Sequence, residues 1–92
     1  MIGNATITTT AALALTAVIA NRDTVLFLQN KSDTDIAIAL GAANGGSLTT
    51  ANGLTIKTGG TIVPIGNISP GNLAIYAIHG GAGNKSLTFQ TA

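Results

Sequence analysis

Large aliphatic residues recur at every second position in several stretches of this chain, and the alternation of large with small is cleanest at residues 36–40. Ile36, Ile38 and Leu40 fall on one side of an extended backbone, and Ala37 and Ala39 fall on the other. Just before them, Thr24-Val-Leu-Phe-Leu-Gln29 is built of β-branched, aromatic and aliphatic residues. Val25 and Phe27 alternate there with Leu26 and Leu28, so both faces are apolar, and such a strand needs cover on both sides. Asn30-Lys31-Ser32-Asp33 separates the two runs with residues that favour turns by bonding their own backbone. The stretch from Arg22 to Leu40 therefore predicts a β-hairpin around which the rest of the chain is arranged. The alanine face of its second strand is flat enough for another backbone to approach closely.

The same pattern extends in both directions. Thr6-Ile-Thr-Thr-Thr10 is β-prone. Ala11 to Ala20 mixes helix-forming alanine and leucine with period-two placement of Leu13, Leu15, Ala17 and Ile19, and reads as a strand with a short helix as the alternative. After Leu40, Gly41 to Gly46 is a loop, and Asn52-Gly53 is a turn signal. Leu54–Ile56 and Thr61–Ile65 flank Lys57-Thr-Gly-Gly60 as a second predicted hairpin. Pro64 has no N–H for a ladder, which marks that strand as an edge or ends it there. Leu73 to Ile78 is another strand apolar on both faces, and Lys85 to Thr91 closes the chain with Leu87 and Phe89 inward. The sum is about seven strands separated by turn signals about every 8–12 residues, the signature of a small antiparallel β-sandwich or barrel. Residues 11–92 are expected to form that single domain, and residues 1–10 an extended N-terminal arm. No fixed-period repeat points to a solenoid.

Composition sharpens the picture. In 92 residues there are four basic and three acidic side chains, a net charge of +1, two Phe, one Tyr and no Trp or Cys. The core must come from Leu, Ile, Val and Ala. Surface scaling gives about 4,900 Å² for the folded chain, against about 13,000 Å² unfolded. So little charge repels other proteins weakly, and suits a chain whose surface is largely covered by partners. It leaves no electrostatic footprint for nucleic acid. Without cysteine there is neither a disulfide framework nor thiol chemistry. The apolar run from Ala11 to Ala20 lacks a preceding basic residue and is too short to span a bilayer as a helix, so it is read as part of the mature protein, with no membrane partner.

Candidate chemistry is sparse. His79 is the sole histidine, and Ser32, Ser47, Ser69 and Ser86 lack the context of an activated nucleophile. His79 is therefore read as exposed or at an interface, and the chain as not an enzyme. Asp33-Thr-Asp35 begins like a calcium loop, but there is no Glu to complete one, so turn-capping aspartates are expected and no metal or cofactor. The glycine stretches lack the Lys-Ser or Lys-Thr of a phosphate loop. Thr6-Ile-Thr8 and Thr8-Thr-Thr10 are too short an array for ice binding. Sugar sites favour aromatic platforms, and of Tyr76, Phe27 and Phe89 both phenylalanines are expected to be buried. Arg22, the only arginine, precedes the first apolar strand, with Asp23 and Asp35 as candidate ion-pair partners.

The arrangement carries one resemblance. An apolar β segment leads to Asn21, then to a hydrophobic-x-hydrophobic run ending in Gln29-Asn30-x-Ser32, then to a strand ending at Gly41. Asn52-Gly-Leu-x-Ile56, Gly59-Gly60 and Ala74-Ile-Tyr-Ala-Ile78 follow. Over residues 11 to 91 this resembles the small β-sandwich virion proteins of tailed bacteriophages, of the capsid decoration or cement type. The resemblance implies a structural protein with no enzymatic activity, made in the host bacterial cytoplasm and placed on the virion surface. Its partners would be the major capsid protein and copies of itself, most often in trimers. A tail, fibre or head–tail connector component is the first alternative, and a soluble carbohydrate- or surface-binding module the second. Under this reading Ile2, Thr6, Ile7, Thr8 and Thr10 of the arm, together with Arg22, Tyr76 and His79, are the candidate interface residues.

Overall fold

The computed structural model describes residues 2–15, 25–65 and 74–91. Among them are eight strands: β1 (Ile2–Ile7), β2 (Ala12–Leu15), β3 (Leu26–Asn30), β4 (Ile36–Leu40), β5 (Leu54–Ile56), β6 (Thr61–Ile65), β7 (Ile75–His79) and β8 (Lys85–Thr91). One helical turn, α1 (Ala42–Gly45), lies between β4 and β5. The strands form two four-stranded antiparallel sheets, ordered β1-β8-β3-β6 and β2-β7-β4-β5. The all-β sandwich expected from the period-two pattern is the fold.

The pairing has a simple rule. The first strand pairs with the last, the second with the second-last, β3 with β6 and β4 with β5. This is one long antiparallel ribbon, doubled back between β4 and β5 and rolled so that most successive strands change sheet. Pairings of β3 with β8 and of β4 with β7 close the roll. The result is jelly-roll strand order, which buries one face of each sheet in a shared core.

Both predicted hairpins are corrected by this pairing. β3 and β4 lie in different sheets, and so do β5 and β6. Apolar alternation sets which side chains point inward but not which strand lies alongside. Leu26 and Leu28 of β3 therefore meet Ile36 and Ile38 of β4 within one core cluster across the two layers rather than along one ladder. The residues predicted as an arm are also corrected over Ile2–Ile7. That segment is β1, in unbroken register with β8 from Ile2↔Gln90 to Ile7↔Lys85, and Ala5 and Ile7 are in the core.

The core is aliphatic, as the composition demands. Leu28, Ile36 and Leu87 are fully buried, with Ile38, Ile56 and Ile75 beside them. Burying a side chain of this size is worth about 1.5–3 kcal/mol. The total accessible surface is 4860 Å², in line with the scaling estimate.

A smaller cluster sits on the outer face of the β2-β7-β4-β5 sheet, where Ala37, Ala39 and Leu48 are buried with Tyr76 and Ile78 against them. The flat alanine face does admit a backbone, and that backbone is the chain's own. A Cβ on Gly53 would fall 2.8 Å from the Ala37 Cβ and 2.7 Å from the Leu48 side chain, so only glycine allows this approach. Asn52 holds the loop there, accepting from the Thr49 N–H and donating to the Ser47 carbonyl, each at 2.8 Å.

Candidate functional site

The rolled topology sorts the described loops to two ends. The connections at residues 8–11, 31–35, 57–60 and 80–84 share one end. Lys31, Asp33, Asp35, Lys57 and Lys85, the charged residues among those described, all stand there. Asp33 accepts from Lys85 at 2.8 Å, and Asp35 faces Lys57 at 3.6 Å. The hydrogen bond from the Lys85 ammonium holds the Asp33 carboxyl below its ordinary 3.8, and the Thr34 hydroxyl adds to the effect. Arg22 and Asp23 lie outside the described residues.

Two buried polar side chains organise this end. Asn30 closes β3 on the inward side, fully buried. Its amide donates to the Thr34 and Ile56 carbonyls, both at 2.9 Å. Its Oδ1 accepts from the Ser32 N–H at 3.0 Å and the Ser32 hydroxyl at 2.6 Å. Thr58 ties the neighbouring loop in, its hydroxyl donating to the Ser32 carbonyl and its N–H to Asp35 Oδ1 at 2.8 Å. Every donor and acceptor of the Asn30 amide is thus used, which offsets the cost of burying it.

His79 is the second, and the expectation of an exposed or interface histidine is overturned. It is 1% exposed because it continues the inward-facing series Ile75, Ala77, His79 of β7. Nδ1 accepts the Gly81 N–H at 3.1 Å, leaving Nε2 to donate to the Gly83 carbonyl at 2.7 Å. Both ring nitrogens are spent inside its own loop, so neither serves an external substrate. The glycines after it permit the tight return of the 80–84 loop, and Gly83 has φ +72°.

The other candidate residues divide. Ile2 is 73% exposed and Thr6 is exposed, both on the outward side of β1. Ile7, at 2%, is a core residue, because it falls on the inward parity of the strand. Thr8 and Thr10 lie beyond the strand, where the Thr8 hydroxyl bonds the Thr10 carbonyl at 3.0 Å. Tyr76 is half-buried over α1, its ring so close to Gly45 that no Cβ fits between them. Arg22 lies outside the described residues.

Register defines one further surface. The outward positions of the β1-β8-β3-β6 sheet run across Ile2, Gln90, Phe27 and Pro64 in one row, and Asn4, Thr88, Gln29 and Ile62 in the next. Thr6 and Ser86 follow. None of these side chains is charged. Phe27, expected to be buried, is 36% exposed and Ile62 is 58% exposed. A groove of about 290 Å³ lies between them, bordered by Gln29, Thr88 and Gln90. The sequence signal for this face was the alternation itself, since Phe27 has the opposite parity to Leu26 and Leu28.

Among the described residues no group of three or more His, Cys, Asp or Glu is placed to hold a metal ion. No helix among them is long and apolar enough to cross a membrane. The chain matches no protein-family model, no curated protein and no solved structure.

Proposed function

We propose that this chain is a structural virion protein that decorates and cements a bacteriophage capsid by bridging capsid subunits. The observation that carries the reading is the placement of charge. All the described charged groups gather at one loop end, while the outward face of the β1-β8-β3-β6 sheet is uncharged and displays Ile2, Phe27 and Ile62. A solvated end opposite or beside neutral flanks suits a module packed into an assembly, where surface burial across subunit boundaries does the work. Jelly-roll strand order also occurs in capsid proteins, but as a fold-level analogy it adds less than the surface does. The partners are the major capsid protein and further copies of this chain, and no catalytic step is assigned.

The test is quantitative mass spectrometry of density-purified phage particles from the source culture. A ratio to the major capsid protein near one, or one per few capsid subunits, supports shell decoration. A handful of copies per particle moves the chain to the tail, fibre or connector. Absence from the particles overturns the virion reading.

One observation favours a second reading, a carbohydrate- or surface-binding module. Phe27 is exposed on a flat face beside the amides of Gln29 and Gln90, an apolar ring flanked by groups that bond hydroxyls. Glycan binding that is lost in Phe27→Ala, from a chain absent from particles, would favour it.

A further inference from the structure

We infer that the free edge of β1 pairs antiparallel with β1 of a second copy of this chain, about a two-fold axis. The inference stands on strand-edge geometry and not on the virion reading.

Among the described residues four strands form the edges of the two sheets, and three of them are unsuited to extending a ladder. β6 carries Pro64 within its paired stretch. β2 has four residues and a register shift between Leu13 and Leu15. β5 has three residues. β1 is different: six residues, unbroken register with β8, no proline and no charge. No strand among the described residues lies on its other side. Among the described residues nothing pairs with the alternate N–H and C=O groups along that side, and β1 has none of the lysines, prolines or bulges that usually block strand addition.

The occupant follows from charge. Across a two-fold axis a strand meets itself, so any charged residue near the axis confronts its like. β1 has none, and is self-complementary in that respect. Registers that keep the outward faces of the two strands aligned centre on Asn4 or on Ala5. In the first, Asn4 lies opposite Asn4 of the second copy and Ile2 opposite Thr6. In the second, Asn4 lies opposite Thr6. Both place polar side chains able to bond across the pair, and the first also covers part of Ile2, now 73% exposed.

The test is the molar mass in solution from micromolar to millimolar protein, by light scattering and sedimentation. The wild-type chain is expected to pass from monomer to dimer. The double variant Asn4→Lys with Thr6→Lys sets like charges directly opposite in either register, and should weaken the dimer by about tenfold or more. Ile62→Lys, on the β6 edge, should leave it unchanged. Circular dichroism establishes that each variant is folded. As the chain has no cysteine, a spin label on Asn4→Cys gives a second measurement, with label-to-label coupling at strand-pair distance expected in the dimer. A monomer at all concentrations, a trimer, or a dimer sensitive to Ile62→Lys but not to the β1 variant would each overturn the inference. These outcomes are independent of whether the chain is found in phage particles.

Discussion

Asn30→Asp changes almost nothing in shape and reverses the chemistry of a buried side chain that makes four hydrogen bonds. The amide nitrogen of Asn30 donates to the Thr34 and Ile56 carbonyls at 2.9 Å, inside a site with no exposure. The substitution replaces that donor with a carboxylate oxygen facing two carbonyl oxygens. At neutral pH the group is a buried anion beside two acceptors, and only the protonated form can donate to even one of them. Burial and the carbonyls therefore raise the introduced carboxyl above its unfolded value of about 3.9. Folding then takes up a proton, so the variant is most stable below that value and loses stability as pH rises toward the folded pKa. Each unit of separation costs about 1.4 kcal/mol. The second carbonyl, left without a donor at any pH, costs about 1–3 kcal/mol more. A chain of this length has on the order of 5–14 kcal/mol in total, so the variant should be markedly destabilised at pH 7 and partly restored near pH 4. Asn30→Ala separates the effects: it loses the same bonds, about 2–4 kcal/mol, without a new titrating group. The assay is urea unfolding of the three proteins from pH 4 to pH 7. If Asn30→Asp and wild type lose or gain stability in parallel over that range, Asn30 does not occupy the site described.

Leu28→Ala, at a fully buried position of β3, should cost about 2–5 kcal/mol, read as a lower denaturant midpoint at unchanged slope. Gly45→Ala puts a methyl group into the Tyr76 ring, so α1 or the ring must move. With one Tyr and no Trp, intrinsic fluorescence reports that site alone and should change before global unfolding. The Asp33 carboxyl should titrate below 3.8 by NMR, and Lys85→Met should return it toward that value. Because its folded pKa is depressed, the pair supports the fold above pH 3.8 and its contribution fades as pH falls through the folded value. Asp33 is largely exposed, so Asp33→Asn should shift the neutral-pH midpoint little.

The sequence by itself determined the strand character of the chain and the side on which most residues fall. Ile36 and Ile38, and Leu87 and Phe89, are inward as their alternation indicates, because successive side chains on a strand point to opposite faces, whereas in β3 the alternation only separated Leu26 and Leu28 from Phe27. It also marked the flat alanine face of residues 37 and 39 and the turn chemistry of Asn30-x-Ser32. Ladder partners were beyond it. A period-two pattern reads the same whether a strand joins its sequence neighbour or one much further along the chain, so two apparent hairpins became crossings between layers. Parity also set Ile7, Phe27 and His79 on their faces, but whether a face is covered depends on what packs over it. His79 looked exposed among glycines, yet the roll brings it inward and its own loop supplies both hydrogen-bond partners. Phe27 looked buried beside leucines, yet it is 36% exposed, with no third layer over its face of the sheet among the described residues. Local sequence sets local geometry, whereas cover comes from long-range pairing, which no single segment encodes.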